Sequence, residues 1–147
     1  MQLREAKLDD IPELCELLNY LFEQEEEFKP NTEVQGKGLK NIISNSDVGV
    51  IVIAIDSDKI IGMVNILYTI STALGSRVAI LEDMVVTPKT RGKGVGSMLM
   101  KYSLDLAKRN CCKRITLLTD FDNEGAHRFY QDHGFSRSSM VAFRKSI

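Results

Sequence analysis

The stretch 48–86 constrains the fold more than any other part of the chain. It holds three apolar runs, VGVIVIAI (48–55), IIGMVNILYTI (60–70) and RVAILEDMVV (77–86), with little more than DSDK and TALGS between them. Valine and isoleucine crowd all three, and β-branched side chains favour a pleated strand over a helix. Connections this short can join only antiparallel neighbours. The stretch therefore reads as a meander, ended by Pro88, whose ring cannot donate to a ladder. Gly62, inside the second run, marks either a bulge or the close approach of another element.

Helices and further strands are expected on both sides of this meander. LREAK is a short strand. In DDIPELCELLNYLF, Asp9 or Asp10 is placed to cap a helix and Pro12 suits its first turn. Ile11, Leu14, Leu17, Leu18 and Leu21 give that helix one apolar face. Leu39, Ile42 and Ile43 predict a second helix, with Gly36 and Gly38 weakening its start. Beyond Pro88, the apolar residues Met98, Leu99, Tyr102, Leu104, Leu106 and Ala107 predict a helix to about Arg109. RITLLT (114–119) reads as a buried strand. NEGAHRFYQDHG (123–134) reads as a helix with Asn123 as its cap and Gly134 as its terminal glycine. FSRSSMVAFRKSI (135–147) is expected to supply a closing strand or hairpin. A strand–helix–strand unit after a meander adds a parallel crossover. The fold class is a mixed, mostly antiparallel α/β sheet with helices, in one domain over 1–147.

Composition excludes several classes. The net charge is −1, without the basic excess of a nucleic-acid binder. VGVIVIAI is too short to span a bilayer as a helix, so no membrane partner is expected. MQLREAKLDD is charged from Arg4 onward and does not read as a signal peptide. Cys15, Cys111 and Cys112 are odd in number, two of them are adjacent, and no Cys/His spacing predicts a metal. Reduced thiols in a cytoplasmic protein are the simplest reading.

The chemistry is expected in TPKTRGKGVGSML (87–99), between the third strand and the next helix. Glycines let the backbone turn tightly and let a ligand approach its N–H groups. The first turn of the helix leaves N–H donors without intrahelical partners, and its dipole favours negative charge. With Arg91 and Lys93 at the entrance, this is a recipe for a polyphosphate site. The plain alternative is a surface loop with solvating charges. A nucleotide P-loop would end in Gly-Lys-Ser/Thr, and a dinucleotide fingerprint would read G-x-G-x-x-G near the start of a βαβ chain; both fit poorly.

Val86, Pro88, Arg91, Gly92, Gly94, Val95 and Gly96 match V-x-P-x-x-[RQ]-G-x-G-[IVL]-G. Downstream, Asn123, Ala126, Phe129, Tyr130, Gly134 and Phe135 match N-x-x-A-x-x-F-Y-x-x-x-G-F. In these two motifs and in its order of elements, the chain resembles the GNAT superfamily of acetyl-CoA-dependent N-acetyltransferases. The resemblance implies a twisted sheet with helices on both faces and two strands splayed into a V. It also implies that the amides of Arg91, Gly92, Lys93, Gly94, Val95, Gly96 and Ser97 hold the pyrophosphate of acetyl-CoA. The pantetheine arm would pair with Met84, Val85 and Val86, with a strand amide facing the thioester carbonyl. Asn123 and Phe129 would flank the cofactor, although Asn123 is equally suited to capping.

The family reaction is direct attack of an amine on the thioester. Tyr130 matches the tyrosine that protonates the leaving thiolate; ring packing is its structural alternative. Glu82 is expected to be the base or amine-binding acid, with Asp83 next and a structural ion pair as the alternative. Simple strand alternation would place Glu82 with Met84 and Val86 on one face, and Asp83 with Val85 on the other. His127 reads as a surface or cofactor-edge residue. The acceptor wall would come from 23–37, including the acidic run 23–27, and from 68–76. The acidic run is either a solvated helix end or an attraction for a cationic acceptor. The strand around Glu82 and AHRFY also resemble members that acetylate aminosugar phosphates or aminophosphonates. The partner is thus a small-molecule or peptide amine, and homodimerisation follows as a family expectation. The rival is a non-catalytic acyl-CoA-binding module on the same fold.

Overall fold

The computed structural model describes residues 1–24 and 29–147. Five strands form one sheet in the order β1-β2-β3-β4-β5: β1 (Gln2–Glu5), β2 (Gly49–Asp56), β3 (Lys59–Ser71), β4 (Ser76–Val86) and β5 (Ile115–Leu117). The first four pair antiparallel and β5 runs parallel to β4. The β2–β3 turn closes on Ser57 and Asp58, both with positive φ (50° and 64°), the handedness that matches strand twist in a tight hairpin.

Two apolar clusters sandwich the sheet. On one face, α1 (Ile11–Phe22) and α2 (Thr32–Ile43) cover Ile51, Ile53, Met63 and Val85 with Leu14, Leu17, Leu18 and Leu39. On the other, α3 (Val95–Arg109) buries Val95, Leu99, Met100 and Leu106 against Val52, Val64, Ile66 and Leu81. The rings of Phe129 and Tyr130, on α4 (Glu124–Asp132), join this second cluster. Gly62 is explained by close packing: a Cβ there would stand 2.9 Å from Leu99 Cδ1.

Local chemistry departs from expectation at α1. Asp10 occupies the N-cap position but makes no side-chain cap. Its carboxylate instead accepts two bonds from the Arg4 guanidinium (2.8 and 3.1 Å) and one from the Lys7 N–H (2.7 Å), tying β1 to the helix start. A bidentate, charge-assisted pair outcompetes one neutral cap. At α2, Asn31 caps by accepting from the Val34 N–H. Gln35, buried on α2, donates to the Cys15 carbonyl and to Asn19 Oδ1, holding α2 against α1.

Two sequence expectations are corrected. The strand expected over 114–119 is confined to Ile115–Leu117, and Leu118 is 57% exposed, because the chain leaves the sheet there. The segment 135–147 forms no closing strand or hairpin. Strand propensity alone does not make a strand: a segment forms one only where it pairs with a neighbour.

Candidate active site

β4 and β5 open the site. They pair only from Ala79 to Leu81, whereas β4 continues to Val86. The outer edge of β4 beyond Leu81 therefore has no strand beside it among the described residues. Just past this open edge, Thr87 donates to the Ile61 carbonyl (2.8 Å), and the Thr87 and Thr90 hydroxyls share a 2.7 Å hydrogen bond. These bonds fix the turn that carries the chain into the glycine run.

Within that run Gly92 and Gly94 have φ of 78° and 82°, a region that strains most L side chains. A Cβ on either would meet nothing within 4 Å, so these positions need glycine for backbone handedness and not for space. Gly94 is the N-cap of α3 and makes no side-chain hydrogen bond to the first turn. The early α3 amides thus keep their donors available, and Arg91 and Lys93 stand exposed beside them. Arg91 Nε lies 3.4 Å from the Val86 carbonyl, linking the loop back to the strand end. Val95 turns its side chain into the core. Gly96 faces α4: a Cβ there would lie 3.5 Å from Phe129 Cζ, an ordinary van der Waals contact. Phe129 in turn stacks edge-on with Tyr130, with centroids 5.4 Å apart.

Tyr130 is half-buried, and its hydroxyl makes no hydrogen bond among the described residues. Burial raises its pKa above the ordinary phenol value, so it holds its proton through neutral pH. Asn123 Oδ1 accepts from the Ala126 N–H at 3.1 Å, so its side chain caps α4. His127 bonds the Asp120 carbonyl and His133 the Phe129 carbonyl, both within or beside α4.

The carboxylates on β4 are not arranged as simple alternation predicts. Between Met63↔Val85 and Asn65↔Glu82, β4 carries one residue more than β3, a bulge centred on Asp83 with φ of 52°. The extra residue resets the faces. Leu81, Met84 and Val86 all pack toward α3, while Val85 packs toward α1 and α2. Glu82 registers with Asn65, whose other neighbour is Ile51 of the α1/α2 cluster. Glu82 therefore does not share a face with Met84 and Val86, and it is exposed. Asp83 accepts a 2.6 Å hydrogen bond from Asn65 Nδ2. Together they form part of the wall of a cavity of about 280 Å³ between the sheet, α1 and α2, which Glu82 does not line.

Of the expected acceptor wall, Lys29, Asn31, Val34 and Gln35 line this cavity. Tyr68 lines a separate cavity with Arg77 and Asn110. Most of the acidic run, 25–27, lies outside the described residues. Asn65 was not singled out by sequence reasoning; its one signal is an amide in the middle of an otherwise apolar strand.

The Acetyltransferase (GNAT) family model matches residues 11–135. The chain belongs to that family. This acetyltransferase is 30% identical over 141 residues to the uncharacterised N-acetyltransferase YhfO of Bacillus subtilis, covering 95% of this chain and 92% of that protein. Its fold superposes on a putative acetyltransferase from Agrobacterium tumefaciens with a TM-score of 0.86 at 22% identity, covering 99% of this chain and all of the other. It also superposes on glucosamine-6-phosphate N-acetyltransferase from Arabidopsis thaliana, with a TM-score of 0.79 at 22% identity over 98% and 97% of the two chains. GNAT enzymes generally take their acetyl group from acetyl-CoA, and the open loop amides and strand edge described above suit such a ligand. Among the described residues no helix of the acetyltransferase is long and apolar enough to cross a membrane.

Proposed function

We propose that the acetyltransferase moves an acetyl group from acetyl-CoA to a primary amine of a small molecule or peptide, by direct attack in a ternary complex. One observation carries this reading. The unpaired edge of β4 runs directly into the uncapped amides of the glycine loop, with the protonated Tyr130 on the same side of the sheet. The amides of Gly92, Lys93, Gly94, Val95, Gly96 and Ser97 would hold the pyrophosphate, with the exposed side chain of Arg91 beside them, since the Arg91 N–H itself donates to the Pro88 carbonyl. The edge groups of Met84, Val85 and Val86 would hydrogen-bond the pantetheine arm. Asn123 and Phe129 would sit beside it, Asn123 while still capping α4.

Bound acetyl-CoA supplies the acetyl group as an activated thioester. The chain supplies proton transfers on either side of it. A β4 carboxylate takes the proton that the ammonium must lose before its nitrogen can attack. Of Glu82 and Asp83, the bulge turns Asp83 toward the inner cavity, so Asp83 is better placed and Glu82 remains the outer alternative. Tyr130 gives its phenolic proton to the sulfur that leaves. As the C–N bond forms and the C–S bond breaks, the nitrogen sheds its second proton, which returns to the Tyr130 phenolate, so the products are an amide and a free thiol and the carboxyl gives its proton up to water.

A homodimer and a cytoplasmic setting complete the proposal. Met140, Val141 and Phe143 are 86%, 80% and 95% exposed on a segment with no internal partner strand, which supports a second copy covering them. Three unpaired cysteines support a reducing compartment.

The test is isothermal titration with acetyl-CoA, with ATP as control, on the wild type and Gly94→Asp. Acetyl-CoA should bind and ATP should not. The variant places a carboxylate against the pyrophosphate and strains the loop backbone at its φ of 82°, and should lose at least about tenfold in affinity. Unchanged affinity in a folded variant would reject the loop as the site. Free-thiol release with a panel of amines then reads turnover.

A further inference from the structure

A second cavity lies at the far end of the sheet from the glycine loop. β4 runs from there to Val86, so the two places are roughly 25–30 Å apart. The cavity, of about 330 Å³, opens where β1 ends at Glu5 and gives no partner to Gly49 or Val50 of β2. Ile42, Ile43 and Ile51 stand on its apolar side. Its charged and polar side holds Glu5, Asp47, Tyr68, Arg77 and Asn110. The acetyl transfer uses none of these groups.

These groups are held in place with hydrogen-bonding capacity to spare. The Arg77 guanidinium lies over the Tyr68 ring, 4.6 Å from its centroid, and makes no hydrogen bond among the described residues. It pairs with Asp47 at 4.0 Å, but that side chain is 92% exposed, a loose contact in water. The Tyr68 hydroxyl accepts a 2.7 Å hydrogen bond from Asn110 Nδ2, while its own proton has no acceptor among the described residues. Burial, above all, raises the Tyr68 pKa, so the phenol stays a donor. The charges of Arg77 and Glu5 act on the same phenol as smaller causes of opposite sign, which sets both near its oxygen. Glu5 gives its carbonyl to Arg4 and keeps its carboxylate unpaired among the described residues.

We infer that this cavity binds an aminocarboxylate zwitterion of about dipeptide size, its carboxylate on Arg77 and Tyr68 and its ammonium on Glu5. A planar guanidinium takes a carboxylate on two parallel N–H donors, and the phenol adds one more. A lone anion, phosphate above all, would gain Arg77 and meet Glu5 and Asp47. A lone amine would gain Glu5 and meet Arg77. Only a ligand with both charges is attracted at both ends. β1 and β4 are separated by β2 and β3, so their backbones stand about 14 Å apart. The side chains of Glu5 and Arg77 close only part of that gap, which calls for a ligand whose charged ends are several bonds apart. The isoleucines suit an aliphatic body between those ends. No part of this site depends on acetyl-CoA, so it stands or falls apart from the function proposed above.

The test is nitrogen-15 NMR of the full chain with probes of equal carbon count: 6-aminohexanoate, its isomer norleucine, hexanoate and hexylamine. The first should shift the Asn110 side-chain amide and the backbone amides of Gly49 and Val50 saturably, leaving the glycine loop unmoved. Norleucine, whose charges are adjacent, and the two singly charged probes should each bind at least about tenfold more weakly. Arg77→Gln and Glu5→Gln, with circular dichroism showing them folded, should each weaken 6-aminohexanoate at least about tenfold. The inference is overturned if any of the other probes binds as tightly as 6-aminohexanoate, if none gives a saturable shift, or if the shifts fall on the glycine loop instead. Undiminished binding by either folded variant would overturn it as well. Should a variant not fold, the comparison of probes on the wild type still decides the matter.

Discussion

Gly62→Ala tests whether α3 is clamped to the sheet at the point where the loop amides are set. Gly62 lies opposite Val86 on β4 and beneath the first turns of α3. An added Cβ would stand 2.9 Å from Leu99 Cδ1, 3.3 Å from Val95 Cγ1 and 3.3 Å from the Val85 carbonyl oxygen. Non-bonded carbons rest at about 3.5–4.0 Å, so the new methyl overlaps Leu99 by roughly 0.6–1.1 Å. Leu99 is fully buried and has no solvent to retreat into. Either Leu99 leaves its rotamer or α3 lifts. Overpacking by one methyl costs about 1–3 kcal/mol, and the lost freedom of glycine in the unfolded chain offsets about 0.4–1 kcal/mol of that. A net loss of about 1–2 kcal/mol corresponds to a Tm lower by about 3–6 °C for a domain of this size. Thermal and urea melts check the stability, and acetyl-CoA titration checks the site, since a lifted α3 carries its first-turn amides away from the β4 edge. A variant with unchanged Tm and unchanged affinity would refute the clamp.

Three further outcomes are expected. Tyr130→Phe should lower kcat by about a hundredfold or more while leaving acetyl-CoA affinity intact; because burial raises the Tyr130 pKa, the wild-type alkaline limb should lie above the ordinary phenol value of about 10 and vanish in the variant's pH profile. Asp10→Asn should cost about 1 kcal/mol at neutral pH in a urea melt. The Arg4 hydrogen bond holds the Asp10 carboxyl below the usual range, so its contribution is present above the unfolded carboxyl pKa of about 3.9 and is lost as pH falls through the lower folded value, where wild type and variant should converge. Phe143→Glu should convert a dimer to a monomer in light scattering at micromolar concentration; a wild type already monomeric there would reject the tail as an interface.

The meander was legible because β-branching and short turns both point to it, and α3 was legible from its periodic apolar face. The glycine loop could be read because handedness and anion chemistry demand the same residues. The bulge could not. Asp83 at positive φ is set by the register of β3 against β4, a non-local property, and without it two adjacent carboxylates read as facing opposite ways. Asp10 shows the same limit on a smaller scale: capping is a local expectation, but Arg4 arrives from β1 with a stronger offer. The tail 135–147 has strand-forming residues, and pairing, which needs an edge, is not written in its own sequence.

The open edge of β4 has a consequence for handling the protein. A row of unpaired backbone groups is a template on which a strand from another molecule can settle. Whatever lies along that edge also shields it. The empty protein should therefore be the aggregation-prone one, and its shelf life at high concentration should lengthen when a ligand lies along that edge.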